Sequence, residues 1–173
     1  DIEVDNNGDI LVSGEIEDGS LGNIYTIKYD TNGNELWNVT YDTGDYEFGR
    51  AITVDSNNNV FVTSDIFDGA DTRLVTIKYD TNGNELWNVS YNPPGNHIRP
   101  YGISSDSMDN VVIAGDIDTG SGRDYYTIKY DTNGNELWNV TYDSGLSDSG
   151  YDVEIDSNDA VLVTGRTAHG GAS

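Results

Sequence analysis

An all-β fold assembled from repeated four-stranded antiparallel units is predicted by three observations. Almost the same sixteen-residue phrase occurs three times: "TIKYDTNGNELWNVTY" from Thr26, "TIKYDTNGNELWNVSY" from Thr76 and "TIKYDTNGNELWNVTY" from Thr127. Its tryptophans, Trp37, Trp87 and Trp138, stand 50 and 51 residues apart, and the flanking text keeps phase with them. Within each period lie four short runs rich in Val, Ile, Thr and Tyr, bounded by Gly, Asn and Asp, and helical spacing of apolar residues is absent. One meander of this size cannot bury both faces by itself. Units must therefore stack, and four strands in a period of this length is the β-propeller pattern.

The second repeat gives the elements in order. Strand a is "RAITVD" to Asp55, strand b "NVFVTSDIF" to Phe67, strand c "RLVTIKYD" to Asp80 and strand d "ELWNVSY" to Tyr91. The a to b turns are "DNNGD" from Asp5, "DSNNN" from Asp55, "DSMDN" from Asp106 and "DSNDA" from Asp156, and "DTNGN" joins c to d. An Asp that bonds nearby backbone, followed by a Gly or Asn that tolerates positive φ, makes a tight antiparallel turn. In strand d, Trp37, Val39 and Tyr41 share one face while Asn38 and Thr40 take the other. The repeated phrase thus marks where every unit meets its neighbour in the same way, and the three tryptophans are expected to be buried at equivalent contacts between units.

The units run 1–49, 50–99 and 100–149, with half a unit at 150–173, as one segment. Strands c and d of the fourth unit are not in the text. The expectation is an incomplete propeller, its missing strands supplied by other protein segments.

The text "GRAITVDSNNNVFVTSDIFDGADTRLVTIKYDTNGNELWNVSY" resembles the bacterial and archaeal β-propeller repeat family labelled SBBP, with a wider likeness to NHL blades over strands a and b. "YDTNGNELW" is similar to the Trp-bearing turn of quinoprotein-type propellers. The resemblance covers essentially the whole chain. It implies a propeller from a surface or extracellular repeat protein, and it specifies fold rather than activity.

Composition narrows the partners. With 31 acidic against 8 basic residues and a formal charge of −23, the chain lacks the basic patches that nucleic acid or an anionic lipid surface requires. Cysteine is absent, so there are no disulfides and no thiolate metal sites. No apolar run approaches the ~20 residues of a membrane helix. Abundant Asn, Asp, Gly, Thr and Tyr with a single Met suits an extracellular or cell-surface location.

Candidate chemistry is sparse. Lys28, Lys78 and Lys129 follow Glu15, Asp65 and Asp116 by 13 residues in each case, which predicts an ion pair across strands b and c in every unit. The Asp/Asn-rich turns are not EF-hand loops, since Gly8 and Gly33 stand fourth rather than sixth. Calcium is nonetheless the candidate cation, to be collected by Asp18, Asp68, Asp71, Asp118 and Asp124 of the b to c loops. Asn38, Asn88 and Asn139 head N-glycosylation sequons on strand d. His97 and His169 are the only histidines, and neither Gly-x-Ser-x-Gly nor His-Glu-x-x-His occurs.

The a to b and c to d turns, at one end of the strands, are short and nearly repetitive. The opposite end varies in every copy: "EDGSLGN", "FDGADTR" and "DTGSGRD" between b and c, then "DTGDYEFGR", "NPPGNHIRP" and "DSGLSDSGY" between d and a. Variable loops on a repetitive scaffold point to binding. Tyr46, Glu47, Phe48, Arg50, His97, Arg99, Tyr101, Asp148 and Tyr151 are the candidate ligand-binding residues, for a carbohydrate or protein ligand. The expected function is a non-catalytic scaffold, adhesion or binding module. The alternative is a hydrolase or lyase working at the channel mouth.

Overall fold

A computed structural model of the chain describes residues 1–17, 19, 21–93, 97–120 and 122–168. It is all-β, and strands that follow one another within a unit pair antiparallel. Strands β1 (Ile2–Val4), β2 (Ile10–Glu17), β3 (Gly22–Tyr29) and β4 (Glu35–Tyr41) form one meander. β5 (Tyr46–Val54), β6 (Val60–Phe67), β7 (Thr72–Tyr79) and β8 (Glu85–Tyr91) form the next. β9 (His97–Ser105), β10 (Val111–Asp118), β11 (Arg123–Tyr130) and β12 (Glu136–Tyr142) form a third, and β13 (Asp148–Ile155) pairs with β14 (Val161–Thr167). Among the described residues no helix is long and apolar enough to cross a membrane.

The sheets contain four, eight and two strands instead of the separate four-stranded units expected. The eight-stranded sheet arises because β9 starts at His97, earlier than the text suggested, and its first residue pairs parallel with Thr72 of β7. The Thr72 hydroxyl lies 3.2 Å from His97 Nδ1 and reinforces this junction.

Turn chemistry follows the sequence. The first Asp of each turn accepts backbone N–H groups two and four residues on, at 2.8–3.0 Å from Asp5, Asp30, Asp55 and Asp80. Asp106, Asp131 and Asp156 do the same at 2.8–2.9 Å. The fourth residue has positive φ: Gly in the c to d turns, but Asn58, Asp109 and Asp159 in three of the a to b turns. A side chain there costs about 1 kcal/mol of backbone strain, and each has a use that glycine lacks. The Asn58, Asp109 and Asp159 Oδ1 atoms accept the backbone N–H of Asn6, Ser56 and Ser107 from the preceding unit at 2.9–3.0 Å.

The cores lie between consecutive units. Leu11 and Ile24 meet Ile52, Val60, Val62, Val75 and Ile77 in one cluster, with Trp37, Val39 and Tyr41 packed on it. Phe61 and Leu74 meet Ile103, Ile113 and Ile128 in the second, with Trp87, Val89 and Tyr91 alongside. Val112 and Ala114 meet Val153 in the third. Trp37 and Trp87 occupy equivalent places: each Nε1 donates at 3.0 Å to a carbonyl in the next unit's c to d turn, of Thr81 and Thr132. They are half-buried rather than fully buried, and Trp138 is 37% exposed because no described segment covers it.

The lysine pairing needs correction. The b to c register sets Lys28, Lys78 and Lys129 opposite Leu11, Phe61 and Val112, while Glu15, Asp65 and Asp116 face Ile24, Leu74 and Tyr125. Residues 13 apart share a rung only at Ser13 and Thr26, Thr63 and Thr76, and Ala114 and Thr127; each acid stands four residues nearer the hairpin turn than the residue opposite its lysine, so the two do not face each other. Each lysine reaches instead to the first Asp of its own a to b turn: Asp5 at 2.7 Å, Asp55 at 3.1 Å and Asp106 at 2.6 Å.

Candidate functional site

Strand a starts upstream of where its alternation becomes visible, at Tyr46, His97 and Asp148. The candidate binding residues of the d to a connections therefore stand on strands, not loops. What hid them is a β-bulge at one place in each of the second, third and fourth units. The ladder slips between Gly49 and Ala51, between Pro100 and Gly102, and between Gly150 and Asp152, leaving Arg50, Tyr101 and Tyr151 as the extra residues. A bulge bends its strand and re-aims the side chain. Glycine accommodates one of these crossings, since a Cβ on Gly115 would come within 2.0 Å of the Arg99 carbonyl oxygen.

Two of the re-aimed side chains, Arg50 and Tyr101, take up two of the acids expected to pair with lysine, Asp65 and Asp116. Arg50 grips Asp65, Nε donating to Oδ1 and Nη2 to Oδ2 at 3.2 Å, with its guanidinium 5.2 Å from the Phe48 ring centre. That bond raises the Arg50 pKa further. Tyr101 donates to Asp116 Oδ2 at 3.5 Å, Ser149 donates to the same oxygen at 3.1 Å, and Arg123 lies 3.7 Å away. Burial nevertheless pushes the Asp116 carboxyl above its ordinary value. Tyr101 and Tyr151 meet edge-on, ring centres 6.0 Å apart.

Between the second and third units Arg50, Asp65 and Phe48 border a cavity of about 340 Å³. Phe48 and Arg50 come from β5, Asp65 and Phe67 from β6, Thr72 from β7, His97 and Arg99 from β9, and Asp118 from β10. Six cationic side chains of the described residues are in ion pairs: Lys28, Lys78 and Lys129 as above, Arg50 with Asp65, Arg73 with Asp45, and Arg123 with Asp116. Arg99 forms none among the described residues, so the cavity wall carries a guanidinium with unused donors.

The candidates thus divide. Arg50, His97, Arg99 and Phe48 converge on the cavity. Tyr46 stacks on Phe48 at 5.9 Å and borders a neighbouring recess with Phe67 and Asp68. Tyr101 and Tyr151 lie at the next junction. Glu47 and Asp148 are fully buried and turned inward, where they lock the d to a connections. Thr43 donates to Glu47 through its N–H at 3.0 Å and through its hydroxyl, and Ser144 to Asp148 at 2.8 and 2.9 Å. Sequence reasoning missed Phe67 and Thr72; their place at the variable ends of strands b and c was the available signal.

The calcium candidates among the described residues do not gather. Asp18, like His169, lies outside the described residues. Asp68 accepts the N–H groups of Ala70 and Asp71, and Asp118 that of Gly120, at 2.9–3.0 Å, as turn-forming carboxylates do. Asp124 alone among them joins other acids, Asp143 and Asp148, with ligand atoms within 4.8 Å of one another. Asn38, Asn88 and Asn139 are exposed, each amide donating to the Glu three residues earlier at 2.6–2.7 Å.

No protein-family profile and no curated protein matches this chain. Among solved structures, a protein of unknown function from Bacteroides caccae is similar, with a TM-score of 0.55 and 17% identity over 87% of this chain. The chain spans 48% of that protein's length, and the likeness is one of fold alone.

Proposed function

We propose that this chain is a non-catalytic β-propeller module of an extracellular or cell-surface protein, built of repeats of the type its text resembles, which binds a carboxylate-bearing carbohydrate or peptide in the cavity between its second and third repeats. Consecutive units with a core between each pair, and tryptophans reaching from one unit to the turn of the next, support the propeller reading. The observation that carries the binding reading is convergence. Residues that differ from repeat to repeat meet in one cavity, whereas the near-identical turns at the other end are occupied with unit-to-unit bonds.

Phe48 and Phe67 supply apolar wall, and Arg99 supplies a fork that matches a carboxylate. The exposed sequon asparagines suit a secreted setting. Screening the protein against acidic glycans and peptides, then repeating with Arg99→Ala, tests the reading. Loss of about 1.5 to 3 kcal/mol of binding, roughly ten- to hundredfold, is expected for a charged hydrogen bond; ligands held equally well by the variant would overturn it. The second reading, a hydrolase or lyase at this face, rests on Asp116 beside the Tyr101 hydroxyl. Turnover of a bound ligand that disappears in Asp116→Asn would decide for it.

A further inference from the structure

We infer that Asp124, Asp143 and Asp148 form a calcium site where the third unit meets β13. Their carboxylates lie within 4.8 Å of one another, Asp124 on β11, Asp148 on β13 and Asp143 on the connection between β12 and β13. Three acids together prove little, since such groups are often only solvated. The second observation is the state of Asp124. It is only 6% exposed, it is aimed at the other two acids, and among the described residues no hydrogen-bond donor reaches its carboxylate. A buried carboxylate without a donor is costly unless a cation or proton supplies what is missing.

The chain holds its own control. Asn23 occupies in β3 the place of Asp124 in β11, three residues before Thr26 and Thr127 respectively. Glu47 occupies the place of Asp148, eight residues before Asp55 and Asp156. At that first junction the Asn23 amide, with its nitrogen toward Glu47, donates to Oε2 at 3.2 Å, and Thr43 satisfies Oε1. The junction closes on itself as a neutral donor and an acceptor. At the third junction the amide is replaced by a second acid, beside Asp143, which stands where Asp42 stands at the first junction and like it accepts the N–H of the glycine two residues on; the change from amide to acid is what brings three carboxylates together. The donor has been removed while the acceptor remains, clamped by Ser144 N–H and Oγ.

An all-carboxylate set without His or Cys selects a hard cation, and an irregular connection suits calcium better than the strict octahedron of magnesium. Water completes the shell.

The test is calorimetric titration of chelator-treated protein with calcium chloride, beside thermal melts with and without the ion. A single site of affinity on the order of 10⁻⁴ to 10⁻³ M, typical of extracellular modules, and a calcium-dependent rise in melting temperature are expected. Asp124→Asn recreates the amide and acid arrangement of the first junction, so it should fold, melt without metal at least as high as the parent, and bind calcium at least tenfold more weakly. Absence of a calcium response in the parent, or a response that Asp124→Asn retains in full, overturns the site. If that variant does not fold, Asp143→Asn at an exposed position serves instead, and full retention of the response there overturns it equally.

Discussion

A lysine ammonium carried into the interior must bring its counter-ion with it, and three lysines here do so through an aspartate already engaged in a turn. Asp5 is the plainest case: Oδ1 accepts two backbone N–H groups while Oδ2 accepts from Lys28 at 2.7 Å, and both side chains are at most 4% exposed. Burial alone would raise the Asp5 carboxyl, yet the bond from Lys28 and the N–H groups of Asn7 and Asp9 outweigh it and hold the pKa below the ordinary value. The pair therefore ties strand c to the a to b turn at the same carboxylate that shapes the turn. Removing one partner leaves a buried charge, so Lys28→Met is expected to cost about 3 kcal/mol in urea unfolding at pH 7. A carboxyl with a depressed folded pKa contributes stability that is present above its unfolded value and is lost as pH falls through the folded one. The gap between Lys28→Met and the parent should accordingly narrow as unfolding is repeated below about pH 4.

At the scale of the hairpin, the c to d turn has two duties: it reverses the chain, and in the second and third units it also receives the tryptophan of the unit before. Gly33, Gly83 and Gly134 all hold φ of 81–83°, yet a Cβ at Gly83 would come within 2.9 Å of the Trp37 ring, whereas at Gly33 it would meet nothing. The two positions separate the backbone requirement from the contact. Gly33→Ala should cost only the positive-φ strain, about 1 kcal/mol, and Gly83→Ala about 1 to 3 kcal/mol more through displacement of Trp37, measured by paired chemical denaturation. An equal cost at both sites would remove the contact from the account of why the phrase is so closely repeated. The phrase, its period and its turns were legible because they rest on local chemistry. Pairing across strands was not, because in a repeat every spacing is constant: Asp5 to Lys28, Asp55 to Lys78 and Asp106 to Lys129 recur at 23 residues as faithfully as the misleading 13. The bulges at Arg50, Tyr101 and Tyr151 interrupt alternation where strand a begins, so the strand looked shorter and its cavity-lining residues looked like loop. Asp143 escaped notice because it lies just past the end of β12, one rung beyond the Tyr125–Tyr142 pair that sets it beside Asp124, and only the packing of β13 adds Asp148 to the two.

Across the whole molecule the same contact repeats until it meets an uncovered face. Trp37 and Trp87 each lie over a glycine turn of the following unit and donate to its carbonyl, with Val39, Tyr41, Val89 and Tyr91 packed alongside. On β12 the equivalent residues Trp138, Val140 and Tyr142 are 37%, 54% and 55% exposed. The residues of this face differ little in kind from those of β4 and β8; what differs is the absence of a described neighbour. We propose that its occupant is a further c to d hairpin of the same type, offering a glycine turn and a carbonyl at the position of Thr81 and Thr132, carried by other protein segments. Extending the chain beyond β14 with the text "TIKYDTNGNELWNV" is therefore expected to shift Trp138 emission to shorter wavelength and to raise the melting temperature, because a large aromatic moves from water into a contact that gives up its indole N–H to a carbonyl. In Trp138→Ala carrying the same extension, most of the gain in melting temperature should vanish. An extended protein whose Trp138 emission and melting temperature match those of the parent would mean that β12 does not continue the stack, and would leave the edge to a partner of different chemistry.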